Sequence, residues 1–477
     1  MASKQFDQNG VTLFESIPNE IFIEILSYIT SINAVVAFSN LNWHLQRLLT
    51  ELCHTFDFTS ISKKNFDTIF QYQNTNRWHS LKLSDAEHTP GQVSYFFENH
   101  ALANKFSQLQ SLSIVNIIPN HSYPLFAQLS SLSNLVSLEI ESLCRENIPE
   151  FKLPNLKKLT FSSCPNTSWL KNLTGLEMIE YTITCRCIKA KLLVWPRTLK
   201  YLKIVFEDYQ DLYQKQPGGF FPRGETWAQI ISASIPSLEN FKFYFQCICH
   251  DHHLNHLKEV VASFSTPFYT LEENRIVRCD VSGRFETPIH DVEYGTYNAN
   301  MRHVILYTIP FAWTHNLTKL RHITIGDGAA IYLEDFNILL DNASNLCSLT
   351  AKKSMLKFLT DNWTDMCICN RLTRRIRSLT FSSDRNPSQC FDINELEKIL
   401  PIFSSQCQHL SLGIHSHNKT IDFILRKMCH LISLHVYIQR KNSPPITVEW
   451  LEQQNMRFNG TNCIITNVRH DHYFWLG

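Results

Sequence analysis

The sequence predicts a mixed α/β protein: a short N-terminal three-helix unit, then a curved stack of strand-and-return units with a mostly parallel sheet. Three observations predict it. Residues 17–49 carry apolar side chains at helical spacing. Further along, a phrase of the form Leu-x-x-Leu-x-Leu, other apolar residues allowed, recurs through most of the chain. Between its copies lie segments long enough to return the chain, and some have helical periodicity.

The 477 residues suit two to four domains or one elongated repeat array. A hydrophobic fraction of 44% with 12% aromatics is that of a packed protein. Lys plus Arg number 44 against 43 Asp plus Glu, so there is no basic excess for gripping nucleic acid. The apolar runs are too short for a membrane-spanning helix. The start, MASKQFDQNG, is polar and has no apolar signal core, so a cytosolic or nuclear protein is expected. The cysteine count, 15, is odd, and free buried thiols in a reducing compartment fit it.

Residues 1–12 read as a flexible tail. The first helix is expected over 18–29. Pro18 suits a first helical position, and Glu20 suits the positive end of the helix dipole. Ile17, Ile21, Ile25 and Ile29 recur every four residues, with Phe22, Ile23 and Leu26 beside them. Ile17 to Leu26 cover roughly half the helical wheel, although one buried face needs a stripe only a little over about 100° wide. The pattern therefore offers two faces to cover. A second helix is expected after Ser31 as N-cap, and a third after Asn40, carrying Leu41, Leu45, Leu48 and Leu49. A unit this small should lean on the rest of the chain, on a partner, or on both.

The repeated phrase then takes over. It appears as LQSLSI (109–114), LVSLEI (135–140), LKKLTF (156–161), LEMIEY (176–181), LKYLKI (199–204) and LENFKF (238–243). It returns as MRHVIL (301–306), LRHITI (320–325), LCSLTA (346–351), IRSLTF (376–381), CQHLSL (407–412) and LISLHV (431–436), with WHSLKL (78–83) as an earlier copy. Its alternation makes a short strand with one buried face. Return segments such as FNILLDNASNL (336–346) and INELEKILPIF (393–403) read as helices. Residues 244–300 break the rhythm and read as an insertion, with a helix at 254–264 and two strands joined around Ser282-Gly283 within 274–288. CIITNV (463–468) is strand-like, and the terminal FWLG reads as a packed cap.

The stretch ESIPNEIFIEILSYITSINAVVAFSNLNWHLQRLL (15–49) resembles an F-box, on Ile17, Pro18, Glu20, Ile21, Ile25, Leu26, Ile29, Val35, Leu41, Trp43 and Leu48. The basic pair that often precedes the Trp is here Leu41-Asn42. The remainder is similar to the irregular leucine-rich repeats that often follow an F-box, though only Cys164 of LKKLTFSSC fits the repeat's usual Asn or Cys. The resemblance implies an F-box at 13–55 and a substrate-binding repeat domain at 56–477. It implies a non-enzymatic substrate-recognition subunit of a Skp-cullin-F-box ubiquitin ligase. Its F-box would bind a Skp-type adaptor, and through it a cullin-RING ligase, while the repeats capture a substrate protein. Residues implied in adaptor binding are Ile17, Pro18, Ile21, Phe22, Ile25, Leu26, Val35, Leu41, Trp43 and Leu48. The rival expectation is a repeat scaffold whose N-terminal helices only cap the array.

Exposed residues flanking the buried strand leucines would line the concave face. Candidates for substrate contact are Glu139, Glu141, Lys203, Lys242, Tyr244, Lys352, His435 and Tyr437. CICHDHHLNH (247–256) offers soft ligands, but at no usual zinc spacing, and reads as a polar loop. Cys185 and Cys187, like Cys367 and Cys369, are spaced to share one face of a strand and read as buried thiols. Gly326-Asp327-Gly328 lacks the length and the Lys of a phosphate loop. Arg371, Arg374, Arg375 and Arg377 read as a solvated helix end. No metal, cofactor or catalytic residue is expected.

Overall fold

The computed structural model describes residues 17–100, 102–117, 128–141, 152–162, 168–183, 195–206, 224–249, 262–263, 275–283, 303–306, 317–326, 329, 331–382, 387–415, 418–439, 446–454, 463–468 and 470–477. The chain is mixed α/β with mostly parallel sheets. It opens with three helices, α1 (Asn19–Ser27), α2 (Ser31–Phe38) and α3 (Trp43–Leu52). Their caps differ from expectation. Pro18 occupies the cap position of α1, because its ψ of 145° is extended; its carbonyl accepts the Phe22 amide at 3.1 Å. Thr30, not Ser31, caps α2, its side chain accepting from the Asn33 amide at 3.3 Å. Asn42, not Asn40, caps α3 through the Leu45 amide at 2.8 Å.

All thirteen phrases form strands. The first sheet runs β1 (Thr55–Asp57), β2 (Ser80–Ser84), β3 (Ser111–Val115), β4 (Ser137–Ile140), β5 (Lys158–Ser162), β6 (Met178–Ile183), β7 (Tyr201–Phe206), β8 (Asn240–Cys249) and β9 (Arg275–Gly283), every neighbour pair parallel. Residues 275–283, Ser282 and Gly283 included, are one strand on β8; the second strand expected after them lies outside the described residues. The expected helix at 254–264 falls almost wholly outside the described residues.

A second sheet follows instead of a continuation of the first. It comprises β10 (His303–Leu306), β11 (His322–Ile325), β12 (Ser348–Ala351), β13 (Ser378–Phe381), β14 (His409–Ile414) and β15 (Ser433–Ile438), all parallel. It ends in β17 (Asp471–Leu476), antiparallel to β15, with β16 (Cys463–Val468) antiparallel at the edge. The return helices include Leu333–Asn342, which begins three residues earlier than expected, and Ile393–Phe403, which matches. Asp392 and Glu395 close the second with a capping box.

The phrase works through two devices. Its first apolar residue ends the return turn, and the next two point inward from the strand: Leu109, Leu112 and Ile114 are all fully buried, as are Leu135, Leu138 and Ile140. The residue after the first Leu then offers its carbonyl to two successive amides of the next copy. Gln110 accepts Val136 and Ser137, Val136 accepts Lys157 and Lys158, and Arg377 accepts Gln408 and His409. Each copy therefore fixes the register of its successor.

The two sheets are joined by the end of the chain. On β17, Phe474 and Leu476 enter the core of the second sheet, while Trp475 between them enters the core of the first. The Trp475 indole donates to the Ile61 carbonyl at 2.7 Å, and its ring meets Phe66 edge-on at 5.3 Å. Helix α4 (Lys63–Tyr72) carries Phe66. Gly91 caps α5 (Gln92–Asn99) with φ +77°, and a Cβ there would lie 2.8 Å from Thr466 Oγ1. Near this junction the His88 and His409 rings are 4.0 Å apart, and burial lowers both pKa values. His100 stacks on Phe70 at 4.1 Å, and burial with the charge of Lys105 holds it down to about 4.

Three outcomes follow from these contacts. Trp475→Ala should cost about 3–5 kcal/mol and Trp475→Phe about 1 kcal/mol in urea unfolding, separating cavity from hydrogen bond. Gly91→Ala should destabilise by about 1 kcal/mol or more, through both its φ and the Thr466 contact, read as a lowered Tm. The depressed histidines contribute stability that is complete above the unfolded value of about 6.5 and is lost as pH falls toward the folded values. Thermal melts should therefore weaken from pH 7.5 to pH 5, and His100→Phe should flatten that fall.

Candidate functional site

Helix α1 resolves its two apolar faces. At about 100° per residue, Ile17, Ile21, Ile25 and Tyr28 span about 80°, and Ile29, Phe22 and Leu26 fill the adjoining sector of about 60°. The second group turns inward. Phe22 is 1% exposed and meets the Phe38 ring edge-on at 5.3 Å; Leu26 and Ile29 lie against the first core. The first group stays outside: Ile21 is 54% and Tyr28 81% exposed, with Ile17 and Ile25 half-buried and Pro18 exposed. The Tyr28 hydroxyl donates to Glu24 at 2.8 Å, which holds its ring along the helix.

Helix α3 adds to this surface. Its His44 ring lies 3.0 Å from Asn19 Oδ1, which brings the first turns of α1 and α3 together. Leu41 and Trp43 beside that bond are 52% and 72% exposed. The described residues thus carry an open apolar surface of Pro18, Ile21, Tyr28, Leu41 and Trp43, with Leu48 half-buried. Three of the expected contact residues do not belong to it, Leu26 because it packs against the first core. Phe22 and Val35 (0% exposed) are sealed in the chain's own core, because they face the α2–α3 side. Tyr28 was missed, although it lies seven residues after Ile21 and so on the same face.

The expected substrate-contact residues fall in two separate places. On the first sheet Ser113, Glu139, Thr160, Glu180, Lys203 and Lys242 form one cross-strand row. Glu139 accepts from the Ser113 hydroxyl at 2.7 Å, and Lys203 reaches Glu180 at 3.1 Å. Burial opposes ionisation of Glu180, but Lys203 and Lys158 outweigh it and hold its pKa below the ordinary value. Lys242 lies over the Tyr201 ring and Lys203 over Tyr244, at 5.5 and 5.8 Å. Glu141 is exposed and, with Glu139, lines a small cavity of about 140 Å³. On the second sheet Lys352 is half-buried, and His435 is engaged by Ser411 at 2.8 Å and Asp471 at 3.1 Å. Tyr437, 8% exposed, is buried and not a surface contact; it lies on the His435 face of β15, its ring edge-on to His470 at 6.2 Å.

The remaining sequence features resolve locally. Cys367 and Cys369 lie on the helix Met366–Arg375, not a strand, and so face apart, one exposed and one buried. On the same helix Arg371 pairs with Asp341 at 3.0 Å, and Arg375 donates to the Leu340 and Ala343 carbonyls, closing the C-terminal end of the helix Leu333–Asn342. Residues 250–256, Cys185, Cys187, Asp327 and Gly328 lie outside the described residues. Among the described residues, no cluster of His, Cys, Asp and Glu could hold a metal ion, and no helix is long and apolar enough to cross a membrane.

No known family profile and no curated protein matches the chain. Among solved structures, a crystal structure of the Rad7 and Elc1 complex in yeast aligns over 91% of this chain and 96% of that one, with 12% identity and a TM-score of 0.26, a likeness too slight to bear on fold or function.

Proposed function

We propose that the chain is a non-catalytic substrate-recognition subunit of a Skp-cullin-F-box type ubiquitin ligase, working in the cytosol or nucleus. Its N-terminal helices dock on a Skp-type adaptor, and its leucine-rich-repeat-like sheets capture the substrate protein. One observation carries the reading: α1 splits its apolar residues between an inner face and an outer stripe in which its own chain leaves Ile21 and Tyr28 open and Ile17 and Ile25 half-covered. The Ile-Pro-Asn-Glu-Ile order, at residues 17–21, agrees with it. Full burial of an Ile- or Leu-sized side chain is worth about 1.5–3 kcal/mol, and Ile21, Leu41 and Trp43 keep half or more of their exposure. A partner covering them gains what the fold forgoes.

A scaffold reading keeps one observation on its side. Ala34, Val35 and Leu49 belong to the same core as the strands of the first sheet, so the helices also close one end of that sheet. Capping and docking use opposite faces and are compatible.

Ile21→Asp with Trp43→Asp in the full chain separates the two readings. Both side chains are exposed, so the melting temperature should stay within a few degrees of the parent. Binding to a recombinant Skp-type adaptor should weaken at least about 100-fold, because two charges would be desolvated without partners. A parent chain that does not bind the adaptor, or a double variant that binds as well as the parent, leaves only the scaffold.

A further inference from the structure

The second sheet presents a lattice of hydroxyl groups. Ser348 on β12 stands opposite Ser378 on β13, and Thr350 opposite Thr380, all four on one face. The same rows continue onto β14 and β15, where the polar groups satisfy one another. His409 Nδ1 lies 3.0 Å from the Ser433 hydroxyl, and the Ser411 hydroxyl lies 2.8 Å from His435. The Ser348, Thr350, Ser378 and Thr380 hydroxyls have no such partner among the described residues. They line a cleft of about 700 Å³.

The facing wall comes from the other end of the chain. The turn Asp85–His88 and Asn116, held at φ +55°, reach across to the second sheet, with Tyr473 at the rim. Nδ1 of His88 is buried there without a hydrogen-bond partner. The volume falls in the range of small-molecule sites, about 300–1,000 Å³.

The charges select the ligand. Among the described lining residues there is no Lys or Arg. Burial favours the neutral forms of His88 and His409, and the Tyr473 phenol is pushed up to about 12 by burial, Asp471 and Glu87. An anion would be desolvated with no Lys or Arg to meet it, the His322 imidazole being the one further basic group in the described lining. Of the carboxylates, Asp85 accepts the Val93 amide at 2.8 Å, and Glu87 stands half-exposed 4.0 Å from His435. Among the described residues no group of carboxylates, imidazoles and thiols could hold a metal ion. Hydroxyls donate one hydrogen bond and accept two, so a surface of them matches groups that do both.

We infer that this cleft binds an uncharged polyhydroxylated small molecule, of sugar or cyclitol size, hydrogen-bonded to the Ser348, Thr350, Ser378 and Thr380 hydroxyls and capped by the His88 turn. The inference is independent of how the N-terminal helices are used.

Saturation-transfer NMR on the full chain tests it, with maltose and myo-inositol as uncharged probes and acetate and spermidine as charged ones. Transfer to at least one polyol and to neither charged probe is expected. Thr350→Val with Thr380→Val, which keeps side-chain shape, should weaken polyol binding at least about five-fold with the circular-dichroism melt retained. Ser348→Ala with Ser378→Ala is the second variant if the first fails to fold. Silence of both polyols on the folded parent, preference for a charged probe, or undiminished binding by a folded variant overturns the assignment.

Discussion

The structure depends on a single alternation at its C-terminal end. On β17 one side chain, Trp475, points into the core built by the first sheet, while its neighbours Phe474 and Leu476 point into the core of the second. Two hydrophobic bodies that a break in the repeat would leave separate are thereby held by three consecutive residues. The indole–Ile61 hydrogen bond adds direction to what burial alone leaves non-directional. Gly91, the adjoining His88 and His409 rings, and the cleft beside them are all arranged around this join.

The N-terminal helices obey a different constraint. Three short helices cannot bury enough surface to stand alone. Their inner residues are therefore spent on the first sheet, through Ala34, Val35 and Leu49. What is left over is an outer stripe on α1 and the Leu41–Trp43 corner, kept in position by the Asn19–His44 bond. The helices are thus rigidly mounted at the same time as they are openly apolar, and a rigid mount lowers the entropy lost on association.

Much of this was legible from residue types and spacing. The strands were, because an apolar residue at positions one, four and six of each phrase has to be buried on one face whatever surrounds it. The helix starts were less so. Thr30 and Ser31, or Asn40 and Asn42, are chemically equivalent caps, and only backbone geometry decides between them. Phe22 and Ile21 are adjacent and both apolar; nothing in their identity says which one the chain will cover. Cys367 and Cys369 fit strand spacing, yet the return segment there is helical. The division into two sheets was hidden because the phrase continues unchanged on both sides of it. The cleft was hidden because its walls come from positions more than 200 residues apart, as with His88 and Thr350.

Trp475 and Ile61 are separated by 414 positions. The step from Leu112 to its neighbour Leu138 is about sixteen times shorter, so a direct meeting of the two ends would cost about 2 kcal/mol more in chain entropy. Strand-by-strand growth removes most of that cost by carrying the ends toward each other. During synthesis, however, the Ile61 carbonyl and the Phe66 ring stand without Trp475 until that residue, 414 positions after Ile61, has been made. Synthesis is thereby set against folding: a contact needed beside α4 is supplied by a residue translated hundreds of positions later.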